Sequence, residues 1–129
     1  MNRKNNIILI GFMGSGKTTF GRWITRTHNM EFLDTDEYIE NKYNKLIKEL
    51  GIVVYLEASV DELVKRLSKD TSRPLLAGGN LREKIESLMT AREALYKDAA
   101  DVIVKTDGRR FEDMYADIVS AVNIGIMED

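Results

Sequence analysis

Apolar and polar positions along the chain fall into two alternating kinds of block. Short continuous apolar runs, Ile7-Ile8-Leu9-Ile10 and Ile52-Val53-Val54-Tyr55-Leu56, read as buried strands, and Val102-Ile103-Val104 reads as the core of the last strand. Phe32-Leu33, leading into Asp34-Thr35-Asp36, reads as the end of another strand. Between these runs, apolar residues recur at helical spacing. Phe20, Trp23 and Ile24 form one stripe, and Ile39, Tyr43, Leu46, Ile47 and Leu50 form a second that Gly51 ends. Leu63, Val64 and Leu67 follow the capping box Ser59-Val60-Asp61-Glu62. Leu81, Ile85, Leu88, Met89, Leu95 and Tyr96 follow Asn80 and Glu83 in the same spacing, and Phe111, Met114, Tyr115, Ile118, Val119 and Val122 close the chain. Strand and helix in alternation predict an α/β fold with three αβα layers and a parallel sheet of about four strands.

The junction between the first strand and the first helix carries Gly11-Phe12-Met13-Gly14-Ser15-Gly16-Lys17-Thr18, a G-x-x-x-x-G-K-[ST] phosphate loop. Backbone N–H groups can surround a phosphate only where the loop curls inward, partly through angles that a side chain forbids, and glycine supplies those angles. Lys17 is placed to reach the β and γ phosphates, and the Thr18 hydroxyl to ligate Mg²⁺, with Ser15 and Thr19 completing the loop. The loop therefore predicts a P-loop nucleotide-phosphate site with Mg²⁺.

Composition bounds the rest. The 129 residues suit one domain, though they are few for a kinase that must also hold a second substrate. Lys and Arg number 19 against 21 Asp and Glu, and the net charge of −2 offers no broad basic field for nucleic acid or an anionic membrane. The absence of cysteine excludes a disulfide scaffold, a thiolate metal site and a Cys nucleophile. With no long apolar segment, the expectation is a cytoplasmic protein.

Other residues stand out individually. Asp34 and Asp36 would point the same way on a continuing strand, and Asp36 also suits the N-cap of the following helix. Ligands of open parallel sheets bind beyond the carboxyl ends of the strands, which favours a functional role beside the phosphate loop. Residues 69–79, aperiodic and with the only proline, read as a mobile lid carrying Arg73. Arg92 falls on an apolar stripe, so its guanidinium must be paired, face a cleft or snorkel from the edge. Arg109 and Arg110 follow the last strand. His28, the only histidine, reads as a helix-terminal charge or a surface residue and is given no chemistry.

Taken together, the loop Ile10 to Thr19, Phe32-Leu33-Asp34-Thr35-Asp36, Val53-Val54-Tyr55-Leu56, Arg73-Pro74-Leu75-Leu76, Ala91-Arg92-Glu93-Ala94-Leu95-Tyr96 and Ala100-Asp101-Val102 resemble shikimate kinase, in that family's order and over nearly the whole chain. The resemblance implies a P-loop kinase core of the nucleoside-monophosphate-kinase group that binds ATP or ADP with Mg²⁺ and transfers the ATP γ-phosphate to the 3-hydroxyl of shikimate. It implies nucleotide contacts at Gly11, Gly14, Ser15, Gly16, Lys17, Thr18 and Thr19, and Asp34 near the metal's water shell. Asp36 would bind the acceptor's hydroxyls and act as base, Arg73 would be the lid arginine, and Arg92 would hold the acceptor carboxylate. Arg110, with Arg109 beside it, would lie over the adenine.

One departure from the family pattern is large. Several dozen residues that the family carries before the strand 52–56 are missing, including an Ile-x-x-Ile-Phe helix, a Phe-Arg-x-x-Glu segment and a strand ending in Gly-Gly-Gly. The apparent junction lies near 43–47. Either the chain lacks the segment or the sequence omits residues of a longer chain; the unbroken stripe from Ile39 to Leu50 favours the first. Loss of a strand between the phosphate-loop strand and the Asp-Thr-Asp strand would force a new pairing or leave a gap. It predicts reduced stability and either a monomer or weak self-association through strand edges. Besides the kinase, a nucleotide-binding core that has lost its acceptor site is open. A nucleoside-monophosphate kinase fits less well, since Asp34, Asp36 and Arg92 suit a polyol carboxylate better than a base.

Overall fold

A computed structural model describes residues 6–12, 14–34, 51–69 and 80–122. Expectations for Asp36, Arg73, the helical stripe 39–50, the junction and lid residues 70–79 lie outside these residues. The described elements are strand β1 (Asn6–Ile10), helix α1 (Lys17–His28), strands β2 (Glu31–Asp34) and β3 (Ile52–Glu57), helices α2 (Val60–Leu67) and α3 (Leu81–Ala99), strand β4 (Val102–Lys105) and helix α4 (Phe111–Val122). The four strands form one parallel sheet in the order β2-β1-β3-β4.

Alternation along the strands builds the layers. Ile7, Leu9, Val54, Leu56 and Val104 pack on one face with Phe20 and Ile24 of α1 and Met114, Tyr115 and Ile118 of α4. Ile8, Ile10, Val53 and Tyr55 point the other way, onto Tyr96 and Ala99 of α3. A third cluster joins Phe12 and Ala58 to Leu63 and Leu67 of α2 and Ile85 and Met89 of α3. The αβα layering expected from the hydrophobic pattern is therefore present.

Both predicted N-caps form: the Glu62 N–H donates to Ser59 Oγ at 3.1 Å, and the Glu83 N–H to Asn80 Oδ1 at 3.1 Å, while the Ser59 N–H is taken by the Asp107 carboxylate rather than by Glu62. Helix α1 ends at Asn29, whose φ of 53° is the left-handed cap that Asn tolerates. Asp101 extends the β3–β4 ladder, accepting the Val53 N–H on its carboxylate at 2.8 Å while donating its own N–H to the Val53 carbonyl at 2.8 Å.

Two features could not be read from the pattern. Strand β4 is covered on one face only: Val102 and Val104 are buried, but Ile103 is 46% exposed and Lys105 is exposed. An edge strand leaves its outer face beyond the reach of the helix that covers the centre. Next, β1 pairs directly with β2, Asn6 opposite Glu31 through Leu9 opposite Asp34. The described residues therefore leave no gap between these two strands.

Candidate active site

The site grows from the carboxyl end of β1. There the backbone leaves the sheet through Gly11 (φ 150°), Gly14 (φ 85°) and Gly16 (φ 95°) before entering α1. At Gly11 the need for glycine is steric as well as conformational. A Cβ there would sit 2.7 Å from the Leu56 carbonyl oxygen and 3.0 Å from Ser15 Oγ. Gly16 is the N-cap of α1 and makes no side-chain cap bond, and the first turn contains no acidic residue. A Ser or Asp side chain would cap this positive helix end; Gly16 has none, and such an end favours an anion.

Lys17 lies in the first turn of α1 and is 4% exposed. Its ammonium curls back into the loop, donating to the Gly11 carbonyl at 2.8 Å and the Phe12 carbonyl at 3.4 Å. The neighbouring Ser15 hydroxyl is buried without a hydrogen-bond partner, although the Ser15 N–H closes a turn onto the Phe12 carbonyl at 3.0 Å. A buried cation, an unpartnered hydroxyl and a helix N-terminus without a side-chain cap converge on one concave backbone. That donor set suits a phosphate chain. Thr18 and Thr19 are exposed at its mouth, where a hydroxyl can meet a hydrated cation. The parallel register sets Asp34 opposite Leu9, two residues before Gly11, at the same end of the sheet.

The remaining candidates divide. Arg92 is half-buried, with its guanidinium carbon 5.7 Å from the centroid of the Phe12 ring, so it faces the phosphate loop. One turn on, burial pushes the Tyr96 hydroxyl pKa up, and the Arg92 charge and hydrogen bonding oppose that shift. Tyr96 stacks on Tyr55 with centroids 5.1 Å apart. Arg109 is turned toward α4, pairing with Asp117 at 2.6 Å and donating to the Lys105 and Asp113 carbonyls. Arg110 is mostly exposed and meets Glu112 at 3.3 Å, so it is the more available of the two arginines after β4. His28 lies flat on Tyr115 with centroids 3.7 Å apart, a packing role in keeping with giving it no chemistry. A cleft of about 660 Å³ lies beyond the ends of β3 and β4, between Glu57, Met89, Glu93, Lys105, Asp107 and Arg109; none of the described phosphate-loop residues lines it.

Sequence reasoning missed Arg66. Its guanidinium donates to the Gly14 carbonyl at 2.9 Å across 52 residues of chain and to Glu62 at 3.1 Å. Leu67 beside it lies 3.0 Å from the place a Gly14 Cβ would take. No spacing rule links a helix-end arginine to a backbone carbonyl so far away; only the Glu62–Arg66 i,i+4 pair was visible in the sequence.

A parallel sheet between helical layers, with this loop at the end of its first strand, defines a P-loop kinase-like α/β protein. The solved structures it resembles agree. The shikimate kinase from Acinetobacter baumannii in complex with shikimate superposes with a TM-score of 0.77 at 24% identity, covering 94% of this chain and 94% of that one. The shikimate kinase from Bacteroides thetaiotaomicron gives 0.78 at 19% identity, covering 92% and 98%. The chain belongs to the shikimate kinase family, whose profile matches residues 13–50 and 41–123. It is 33% identical over 147 residues to the shikimate kinase of Bordetella avium, covering 78% of this chain and 70% of the relative. It is 30% identical over 177 residues to that of Francisella tularensis subsp. novicida, covering 100% and 98%. That last alignment runs to 177 positions for a chain of 129 residues, so several dozen residues of the relative have no counterpart here.

Proposed function

We propose that the chain is an ATP-dependent phosphotransferase moving the γ-phosphate of ATP to the 3-hydroxyl of shikimate. The observation that carries the reading is the buried Lys17 ammonium, held 2.8 Å from the Gly11 carbonyl inside a loop of three positive-φ glycines, in a member of the shikimate kinase family. The loop amides and Lys17 bind and orient the phosphates, and in-line positioning with charge neutralisation supplies most of the catalysis in this reaction class. Thr18 and Asp34 are the residues that would hold Mg²⁺, which when bound neutralises phosphate charge. Asp36 accepts the hydroxyl proton, and Arg73 brings positive charge from the lid. Arg92 takes the acceptor carboxylate in a bidentate fork. Arg110 covers the adenine, with Arg109 behind it as a brace.

The family segment missing before β3 belongs to this reading, as does its junction near 43–47. Support comes from the family match, which arrives in two overlapping pieces sharing 41–50, and from the direct β1–β2 pairing. A cytoplasmic setting suits a chain in which no described helix is long and apolar enough to cross a membrane.

The test is product formation from ATP and shikimate by the purified chain, with Lys17→Met and Asp36→Asn as controls. Turnover that both substitutions abolish is expected. Nucleotide binding in calorimetry, with no shikimate heat and no turnover, would instead identify a nucleotide-binding core. Failure to bind ATP or ADP would remove both readings.

A further inference from the structure

The G-x-x-x-x-G-K-[ST] pattern leaves its second position free, because the loop binds phosphate through backbone amides and Lys17. Here that position holds Phe12, and its ring is 2% exposed. The ring does not belong to the core beneath α1. It packs with Leu63 and Leu67 of α2 and Ile85 and Met89 of α3, on the side away from the α1 core. From that position it lies under the Arg92 guanidinium, 5.7 Å from carbon to centroid. We infer that Phe12 is a positioning residue for acceptor binding: its ring is the platform that aims the Arg92 guanidinium, so one loop shapes both halves of the site.

Three arguments support this. A guanidinium on an otherwise apolar helical stripe is costly to hold there unless a partner compensates, and an aromatic face does so without consuming its N–H donors. A ring meets the flat face of a guanidinium, whereas a planar carboxylate meets its N–H edge, so the two contacts do not compete for the same side of the group. Tyr96, one turn further along α3, is fully buried and stacks on Tyr55 with centroids 5.1 Å apart, which anchors the turn of α3 that carries Arg92. The ring also belongs to the loop itself, so a shift of the loop backbone on nucleotide binding would move the platform of Arg92. That gives the nucleotide half a direct mechanical route to the acceptor half.

The inference rests on the reading that Arg92 takes the acceptor carboxylate, and its test separates the two. Phe12→Met keeps the bulk and removes the ring. It should raise the shikimate KM about 3- to 30-fold, the scale of a cation–π contact, while the ADP dissociation constant stays within about twofold. Phe12→Tyr, which restores a ring, should recover most of the shikimate KM. A merely structural role would weaken both ligands together and lower the melting temperature without separating them; that outcome, or an unchanged shikimate KM, overturns the inference. If Arg92→Met leaves the shikimate KM unchanged, the acceptor reading itself fails. Should the chain show no turnover, a double-mutant cycle of Phe12→Met and Arg92→Met in denaturant unfolding still decides whether the pair interacts: strict additivity overturns it.

Discussion

The Arg66 guanidinium at the end of α2 holds the Gly14 carbonyl of the phosphate loop at 2.9 Å, while Glu62 one turn earlier holds the guanidinium at 3.1 Å. The loop is therefore braced from outside as well as by the Lys17 ammonium within. The brace continues backward. Glu62 donates its N–H to the Ser59 cap, and the Ser59 N–H donates to the Asp107 carboxylate at 3.1 Å, beyond the end of β4. Residues after three of the four strands thus converge on the bend at Gly14, where the chain must adopt φ 85°.

Removing that outer brace should loosen the loop without destroying it. Charged hydrogen bonds are worth about 1.5–3 kcal/mol when buried, and partial exposure of Arg66 reduces this to about 1 kcal/mol. Arg66→Met is expected to lower the melting temperature by roughly 3–6 °C and to weaken ADP binding about fivefold. Calorimetry and thermal unfolding measure both. An unchanged ADP affinity would show that the loop does not depend on this bond.

The phosphate-loop glycines should differ in their tolerance of a side chain. At Gly16 a Cβ meets nothing within 4 Å, so Gly16→Ala is opposed only by the strain of a φ of 95°, about 1–2 kcal/mol. At Gly11 the added Cβ would lie 2.7 Å from the Leu56 carbonyl, and that backbone oxygen cannot step aside without disturbing β3. Gly11→Ala is expected to cost about 3 kcal/mol or more. Urea midpoints should rank wild type above Gly16→Ala and Gly16→Ala above Gly11→Ala; equal midpoints for the two variants would contradict the steric argument.

These contrasts show what could be read from residues alone. The loop was legible because its function imposes residue types at fixed spacing, and the helices because Ser59, Asn80 and their apolar stripes are local signals. The exposure of Ile103 was not legible in Val102-Ile103-Val104, because edge position is a property of the sheet and not of the strand. Arg66 and Phe12 were invisible for a related reason. Their partners, the Gly14 carbonyl and Arg92, are brought near by topology, and neither a backbone carbonyl nor a ring face leaves a mark in spacing. The role of Arg109 was mixed, since its pairing with Asp117 bridges a turn into a helix and follows no i,i+4 rule.

That last pair makes stability depend on acid. The Arg109 guanidinium, chiefly through its hydrogen bond, holds the Asp117 carboxyl below the usual carboxylate range, with some opposition from burial. A depressed folded-state pKa contributes stability that is complete above the unfolded value, near about 3.9, and is lost as the pH falls through the folded value. Asp117→Asn should therefore lower the melting temperature at neutral pH and flatten its fall below about pH 4. Parallel curves for wild type and variant across pH 2–7 would show that the pair does not couple to folding.

Among the described residues β2 and β4 are the edges of the sheet, and β4 adds the exposed Ile103 side chain to its outer edge. Exposed strand edges with an apolar residue template further pairing, and charge on the edge opposes it. The chain is expected to be less stable than a kinase carrying the missing strand and to associate weakly as concentration rises. Ile103→Lys should suppress that association while leaving the unfolding midpoint within about 0.5 kcal/mol of wild type, since the position is on the surface. Sedimentation velocity from micromolar to near-millimolar protein measures the effect. A concentration-independent monomer with a high melting temperature would contradict the expectation, and association that persists unchanged in Ile103→Lys would place the contact elsewhere than the outer face of β4.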